Sequence, residues 1–179
     1  SLPPRMIAIG LSIEDEARIV AGWAAADHPN GRALVLSGST AWQRRIAAAF
    51  DARWLEVGQS AHIIELSFPG GQLDPAQLVE LKERIDIDPP DLLFAALDAG
   101  QLRQVRAALG NGLACYGTSS VNPGLVAAPE LNGVRLVDLP WLISPANREV
   151  SAYPRPDGKG KTLDMARLYA LGIDAYRVA

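Results

Sequence analysis

Residues 33–58 read ALVLSGSTAWQRRIAAAFDARWLEVG, the pattern of a strand, a short turn and an amphipathic helix. The apolar run at residues 33–36 is followed by the turn Gly38-Ser39-Thr40. Beyond the turn, apolar side chains recur at helical spacing and form one stripe that ends at Gly58: Trp42, Ile46, Ala49, Phe50, Trp54 and Val57. A strand that leads directly into a helix of this kind is typical of a layered α/β fold.

The same alternation continues along most of the chain. Strands are predicted at residues 6–11, 33–36, 61–66, 92–97 and 113–117, each followed by a segment of helical period or by a loop. Right-handed connections between such units predict an α/β three-layer αβα sandwich with a mostly parallel sheet. A further strand is predicted at 134–139, an irregular polar loop at 144–161 and a final helix at 162–179.

Composition excludes several classes of protein. The 179 residues carry a net charge of -3 without a long basic run, which argues against nucleic-acid binding, and no apolar stretch is long enough to span a bilayer. Cys115 is the single cysteine and cannot form an internal disulfide. It is far in sequence from His28 and His62, and neither histidine is placed for a catalytic triad. We therefore predict no catalytic residue, metal site or cofactor.

A small-molecule site is predicted at one rim of the sheet. In parallel sheets the ligand crevice lies at the carboxyl ends of the strands, which brings together the loops at 38–42, 98–100 and 118–122. These loops and the next strand end carry the polar or aromatic candidates Ser39, Thr40, Thr118, Ser119, Ser120, Asn122 and Trp141. Each has a structural alternative: the turn Gly38-Ser39-Thr40 as a helix cap, the 118–122 side chains as turn formers, and Trp141 as a hinge cover.

Six segments in this order resemble a known family. They are residues 12–17, 32–36, 119–122, 131–135, 138–141 and 167–176, which read SIEDEA, RALVL, SSVN, LNGVR, DLPW and RLYALGIDAY. Together they resemble the carboxyl-terminal domain of the LppC/LpoA family, outer-membrane lipoproteins known as penicillin-binding-protein activators. The resemblance implies a fold similar to type I periplasmic-binding proteins, with residues 1–179 as one lobe and 162–179 as the crossover helix. It also implies a non-enzymatic protein that binds a class A penicillin-binding protein. The full-length protein from which this chain derives, here called the parent, would be lipid-anchored at the periplasmic face of the outer membrane.

Two functions stay open on the sequence alone. One is a regulator of cell-wall synthesis whose partner is the peptidoglycan synthase. The other is a periplasmic solute-binding lobe that holds a small polar ligand, such as a wall-derived sugar or peptide, with Ser119, Ser120, Asn122 and Trp141.

The final helix indicates that the chain is a fragment. Its apolar side chains spread widely around the axis and need cover: Met165, Leu168, Tyr169, Ala175 and Tyr176. We expect the helix either to fold onto its own lobe or to pair with a second copy as a homodimer.

Overall fold

The structure is a computed structural model that describes residues 12–124, 126–143, 148 and 162–178. The chain divides into two compact units, one of residues 13–137 and one of residues 1–12 with 138–179. The strand predicted at 6–11 lies outside the described residues, as does the loop predicted at 144–161 apart from Arg148.

The larger unit alternates helices and strands. In chain order these are α1 (Ile13–Asp27), β1 (Arg32–Gly38), α2 (Ala41–Glu56), β2 (Ser60–Leu66), α3 (Pro75–Ile87), β3 (Leu92–Ala96), α4 (Ala99–Leu109), β4 (Ala114–Gly117) and β5 (Val134–Leu136). Short 3-10 turns occupy Pro69–Gly71, Ser119–Val121 and Pro129–Leu131. The smaller unit holds α5 (Pro140–Ile143) and α6 (Leu163–Val178).

The described strands form one parallel sheet in the order β2-β1-β3-β4-β5. Leu34 lies beside His62 of β2 and Leu93 of β3, and Leu93 lies beside Cys115 of β4. The parallel α/β prediction is confirmed for these strands.

Two separate cores, one on each face of the sheet, give the three-layer sandwich. On the first face, α1 and α2 cover Val35, Phe94 and Tyr116. On the second, side chains of α3 and α4, such as Leu81 and Leu102, cover the strand residues between them. All five residues of β3 are buried, as expected for a strand with helices on both sides.

The two tryptophans predicted in the α2 stripe differ in burial. Trp54 is fully buried, stacks on Phe50 and donates from Nε1 to the Ser60 carbonyl at 2.9 Å. Trp42 is only partly buried, at the edge of the same core. The stripe is therefore correct, and its first member lies where the core meets solvent.

The predicted strand at 134–139 is wrong in length. β5 ends at Leu136, although the Val137 N–H still donates to the Gly117 carbonyl at 3.4 Å. Pro140 then begins α5, since proline lacks an N–H for a sheet ladder but suits the first turn of a helix. β1 begins one residue before and ends two residues after the predicted 33–36. At the other predicted strands one end shifts by one residue: β2 begins at Ser60, β3 ends at Ala96 and β4 begins at Ala114.

Arg106 is a buried cation on α4 that the sequence did not single out. Its residue is 3% exposed, and its guanidinium donates to three backbone carbonyls: Nε to Glu130 at 3.3 Å, Nη1 to Leu113 at 3.2 Å and Nη2 to Asn132 at 3.1 Å. These contacts fix the start of β4 and the end of the loop that leads into β5.

The reactivity of Cys115 with thiol reagents tests whether this residue lies inside the sheet. Burial raises the pKa of its thiol to about 11, against a smaller opposing effect of the Arg106 charge. The thiol therefore stays protonated at neutral pH, and the protonated form is a poor nucleophile. We expect a thiol reagent to modify Cys115 only when urea unfolds the protein. Rapid stoichiometric labelling of the native protein would contradict the placement of Cys115 inside the sheet.

Candidate functional site

The structure brings the predicted rim loops together at the carboxyl ends of β1, β3 and β4. Gln43, just inside α2, donates from Nε2 to Gln101 Oε1 at 2.5 Å, which joins the loop after β1 to the loop after β3. Ser120 donates from its hydroxyl to the Leu97 carbonyl at 2.7 Å, which joins the loop after β4 to the same region.

Thr40 is the N-terminal cap residue of α2. Its hydroxyl donates to Gln43 Oε1 at 2.8 Å, and its N–H approaches the same oxygen at 3.4 Å. The Gln43 side chain passes so close to Gly38 that a β-carbon there would lie 2.0 Å from Oε1. A side chain at position 38 would therefore displace the buried side-chain amide of Gln43. The helix-cap interpretation of Thr40 describes its observed contacts. Ser39 is exposed beside it.

The polar side chains at 118–122 bind the protein itself. Thr118 is fully buried, with its hydroxyl 2.9 Å from that of Ser120. Ser119 donates to Glu16 twice, from its N–H at 2.7 Å and from its hydroxyl at 3.1 Å. Asn122 accepts from the Gly124 N–H at 2.8 Å, a turn-forming contact.

Glu16 holds this loop to α1. Glu16 lies in the first turn of α1, where a carboxylate interacts favourably with the helix dipole. Its two bonds to Ser119 add a contact across 103 residues of chain. No local spacing could have revealed that contact, because it depends on how α1 packs against β4.

Trp141 does not follow a strand end as predicted. It lies in α5 of the smaller unit, is 9% exposed and packs on Tyr169 of α6, with ring centroids 5.6 Å apart. Next to it, Asp138 accepts from Arg167 at 3.0 Å, and the Asp138 side chain is 1% exposed. The misplacement arises because the predicted strand at 134–139 is three residues longer than β5, which ends at Leu136.

A second polar cluster surrounds the Tyr116 hydroxyl. Tyr116 donates to Asp27 Oδ2 at 2.9 Å, Arg135 donates to the hydroxyl oxygen at 2.7 Å, and His28 Nε2 lies 3.2 Å away. Burial, followed by the hydrogen bond to Asp27, raises the pKa of Tyr116. These groups satisfy one another and tie the end of α1 to β4 and β5.

The described residues include no group of three or more histidine, cysteine or carboxylate side chains that could hold a metal ion. No helix in the same part of the chain combines the length and apolar character needed to cross a membrane.

The family model described as "LppC putative lipoprotein" matches residues 71–179, more than half of the chain. The chain belongs to the LppC family. The matched region contains residues 118–122, Trp141 and all of the smaller unit from Asp138 onward, whereas Ser39 and Thr40 precede it. Among curated proteins, no sequence matches.

Solved structures share the fold of this LppC protein. A "putative branched-chain amino acid ABC transporter" from Chromobacterium violaceum is 33% identical over the whole of this chain, with a TM-score of 0.84. The C-domain of LpoA from Haemophilus influenzae, a regulator of PBP1A, is 23% identical over 98% of this chain, with a TM-score of 0.74. Full-length LpoA from the same organism gives the same identity and TM-score.

This LppC chain spans only part of those relatives. It covers 56% of the Chromobacterium chain, 55% of the LpoA C-domain chain and 32% of full-length LpoA.

Two of the sequence segments that resemble the family meet in the smaller unit of this LppC protein. Residues 138–141 supply Asp138 and Trp141, and residues 167–176 supply their partners Arg167 and Tyr169. An ion pair and a ring contact thus join α6 to the segment that follows β5. These contacts give a physical reason for the joint presence of the two segments.

Proposed function

We propose that this LppC protein is one lobe of a non-catalytic periplasmic regulator that activates a class A penicillin-binding protein. In this proposal the parent is lipid-anchored to the outer membrane, and the lobe faces the synthase. The family match over residues 71–179 carries the proposal. The fold shared with the C-domain of the PBP1A regulator LpoA supports it.

The chemistry of the rim agrees with a role in protein binding. The hydroxyls of Thr118, Ser119 and Ser120 are used to hold the loop after β4 in place. A regulator needs a stable surface of this kind and no reacting group.

Binding of the full-length parent to a purified class A synthase tests the proposal. We expect saturable binding in biolayer interferometry, and no binding to a monofunctional transpeptidase used as the control. Equal binding to both enzymes, or to neither, would contradict the proposed partner.

A solute-binding lobe is the second candidate, favoured by the 33% identity to the Chromobacterium protein. Its ligand would be a small polar molecule held by Ser39, Thr40, Thr118, Ser119, Ser120 and Asn122, with Trp141 completing the predicted set. Calorimetric titration of the parent with amino acids and wall-derived fragments separates the two candidates. Heat that saturates and is lost in Ser119→Ala would favour the receptor, whereas the regulator predicts no such signal.

The exposed stripe of α6 leads to a prediction about association. Tyr169 and Ala170 are partly or fully buried, whereas four apolar side chains of the helix are 36–82% exposed: Met165, Leu168, Leu171 and Tyr176. Burying one large apolar side chain contributes about 1.5–3 kcal/mol. We therefore propose that the isolated chain forms a homodimer through this stripe.

Light scattering of Leu168→Glu and of the unaltered chain checks the dimer. We expect the unaltered chain to show a dimer mass and Leu168→Glu to show a monomer mass. Leu55→Glu is the matched control, because Leu55 is 69% exposed on α2, outside the stripe. A monomer mass for the unaltered chain would refute the pairing.

A further inference from the structure

Three asparagines of the chain stand directly before a glycine, at Asn30-Gly31, Asn111-Gly112 and Asn132-Gly133. In such a pair the glycine backbone nitrogen can attack the asparagine side-chain amide, because glycine has no β-carbon to hinder the approach. The attack is intramolecular and closes a succinimide ring, which strongly favours the reaction once the two groups can meet. It needs a glycine N–H that is free to lose its proton and an asparagine amide that is free to turn toward it. The folded structure therefore decides which of the three pairs reacts.

The pair at 30–31 is held in a conformation that opposes ring closure. The Gly31 N–H donates to the His28 carbonyl at 3.0 Å, so the attacking nitrogen is already engaged. Gly31 is buried, and a β-carbon built on it would lie 2.9 Å from the β-carbon of His28. Asn30 is fixed in the left-handed region, with φ at 62°. Attack at this pair first requires the turn between α1 and β1 to open.

The pairs at 111–112 and 132–133 lie in the loops that lead into β4 and β5. All four residues are exposed. Within the part of the chain that the structure describes, neither glycine N–H donates a hydrogen bond and neither asparagine side chain forms one. A β-carbon built on either glycine would meet no atom within 4 Å other than those of its chain neighbours. Both nitrogens and both amides are therefore available for ring closure.

We propose that Asn111 and Asn132 are sites of spontaneous deamidation in the folded protein, with water as the co-reactant, and that the fold protects Asn30. The glycine nitrogen forms a bond to the side-chain carbonyl carbon, and its proton leaves with the amide nitrogen as ammonia. Water then opens the succinimide at either carbonyl and gives aspartate or isoaspartate. Each event replaces a neutral amide with a carboxylate.

Deamidation at Asn132 changes a group that the buried Arg106 binds. The Asn132 backbone carbonyl accepts from Arg106 Nη2 at 3.1 Å. Isoaspartate converts that carbonyl into a free carboxylate and routes the main chain through the former side chain, which adds a methylene before Gly133. The pairing of β5 with β4 begins at Val134 and Cys115, directly after the lengthened step. Isoaspartate at position 132 therefore alters the entry to β5, whereas aspartate leaves the main chain unchanged.

Incubation of the full-length parent at mildly alkaline pH, followed by proteolysis and mass spectrometry, measures the conversion of each asparagine. Asn111 and Asn132 fall in the same tryptic peptide, so electron-transfer fragmentation assigns the site and separates isoaspartate from aspartate. In the native protein we expect both to convert at least about tenfold faster than Asn30, equivalent to an opening cost of about 1.4 kcal/mol at the protected turn. In urea, which removes the contact with His28, the three sites should convert at similar rates.

Asn111→Gln and Asn132→Gln are the matched variants, because glutamine keeps the amide but its longer side chain closes a ring far more slowly. Each variant should abolish conversion at its own site and leave the other site unchanged. Native rates at Asn111 and Asn132 no faster than the rate at Asn30 would overturn the proposal, and conversion at only one of them would overturn the assignment of the other. If Asn30 stays slow in urea, the fold is not what protects it.

Discussion

Arg106→Met is expected to lower the free energy of unfolding of the larger unit by about 3 kcal/mol. Methionine fills much of the volume of the arginine stem but donates no hydrogen bond. The carbonyls of Leu113, Glu130 and Asn132 would lose their donor, and an unsatisfied buried polar group costs about 1–3 kcal/mol. Urea denaturation followed by circular dichroism measures the change.

Arg103→Met is the matched control for Arg106→Met. Arg103 lies one turn earlier on α4 and contacts the same loop through an ion pair with Glu130. The Arg103 side chain is 39% exposed, and the Glu130 side chain is 32% exposed. Exposed pairs contribute about 0–1 kcal/mol, so this variant should unfold at nearly the same urea concentration as the unaltered chain. An equal loss of unfolding free energy in the two variants would show that burial of the Arg106 guanidinium is not what stabilises the loop.

Asp138→Ala is expected to lower the free energy of local unfolding of α6 by about 3 kcal/mol. The Asp138 side chain is 1% exposed, and its loss leaves Arg167, which is 26% exposed, without this carboxylate. Removing one partner of a buried ion pair costs about 3–5 kcal/mol, and the partial exposure of Arg167 places this case at the lower end. Limited proteolysis should cut α6 in the variant at protease levels that leave the unaltered helix intact.

Asp15→Ala provides the comparison for Asp138→Ala. Asp15 binds Arg18 on α1, and both side chains are about half exposed. Replacing Asp15 should leave the digestion of α6 unchanged. If Asp138→Ala is digested at the rate of the unaltered chain, the ion pair does not anchor the helix.

The sequence predicted the elements whose signals are local. Apolar runs located the strands. An aspartate before a proline is a helix-start signal of the same local kind: α3 begins at Pro75, and the Asp74 carboxylate accepts from the Ala76 N–H at 2.9 Å. Asp98, placed on the rim by the sequence, caps α4 through its bond to the Gln101 N–H at 2.8 Å. Such patterns depend on neighbours within a few residues and can be read without tertiary contacts.

The contacts within the candidate site could not be predicted in the same way. Arg106 resembles any surface arginine in sequence, and its three acceptors are backbone atoms that carry no residue signature. The Glu16–Ser119 pair and the Tyr116 cluster join positions about 90 to 100 residues apart. Position on the rim was predictable, because parallel strands share a carboxyl edge. A structural use of the rim hydroxyls was one of the two interpretations of the sequence, but their distant partners Glu16 and Leu97 were not predictable.

The rate of glycan polymerisation by a class A penicillin-binding protein, with and without the full-length parent, tests the central claim most directly. The account predicts that the unaltered parent raises the rate in a saturable manner. The opposite result is a polymerisation rate that stays the same at a saturating concentration of the parent, whether or not the parent binds the synthase. That result would contradict the assignment of this protein as an activator.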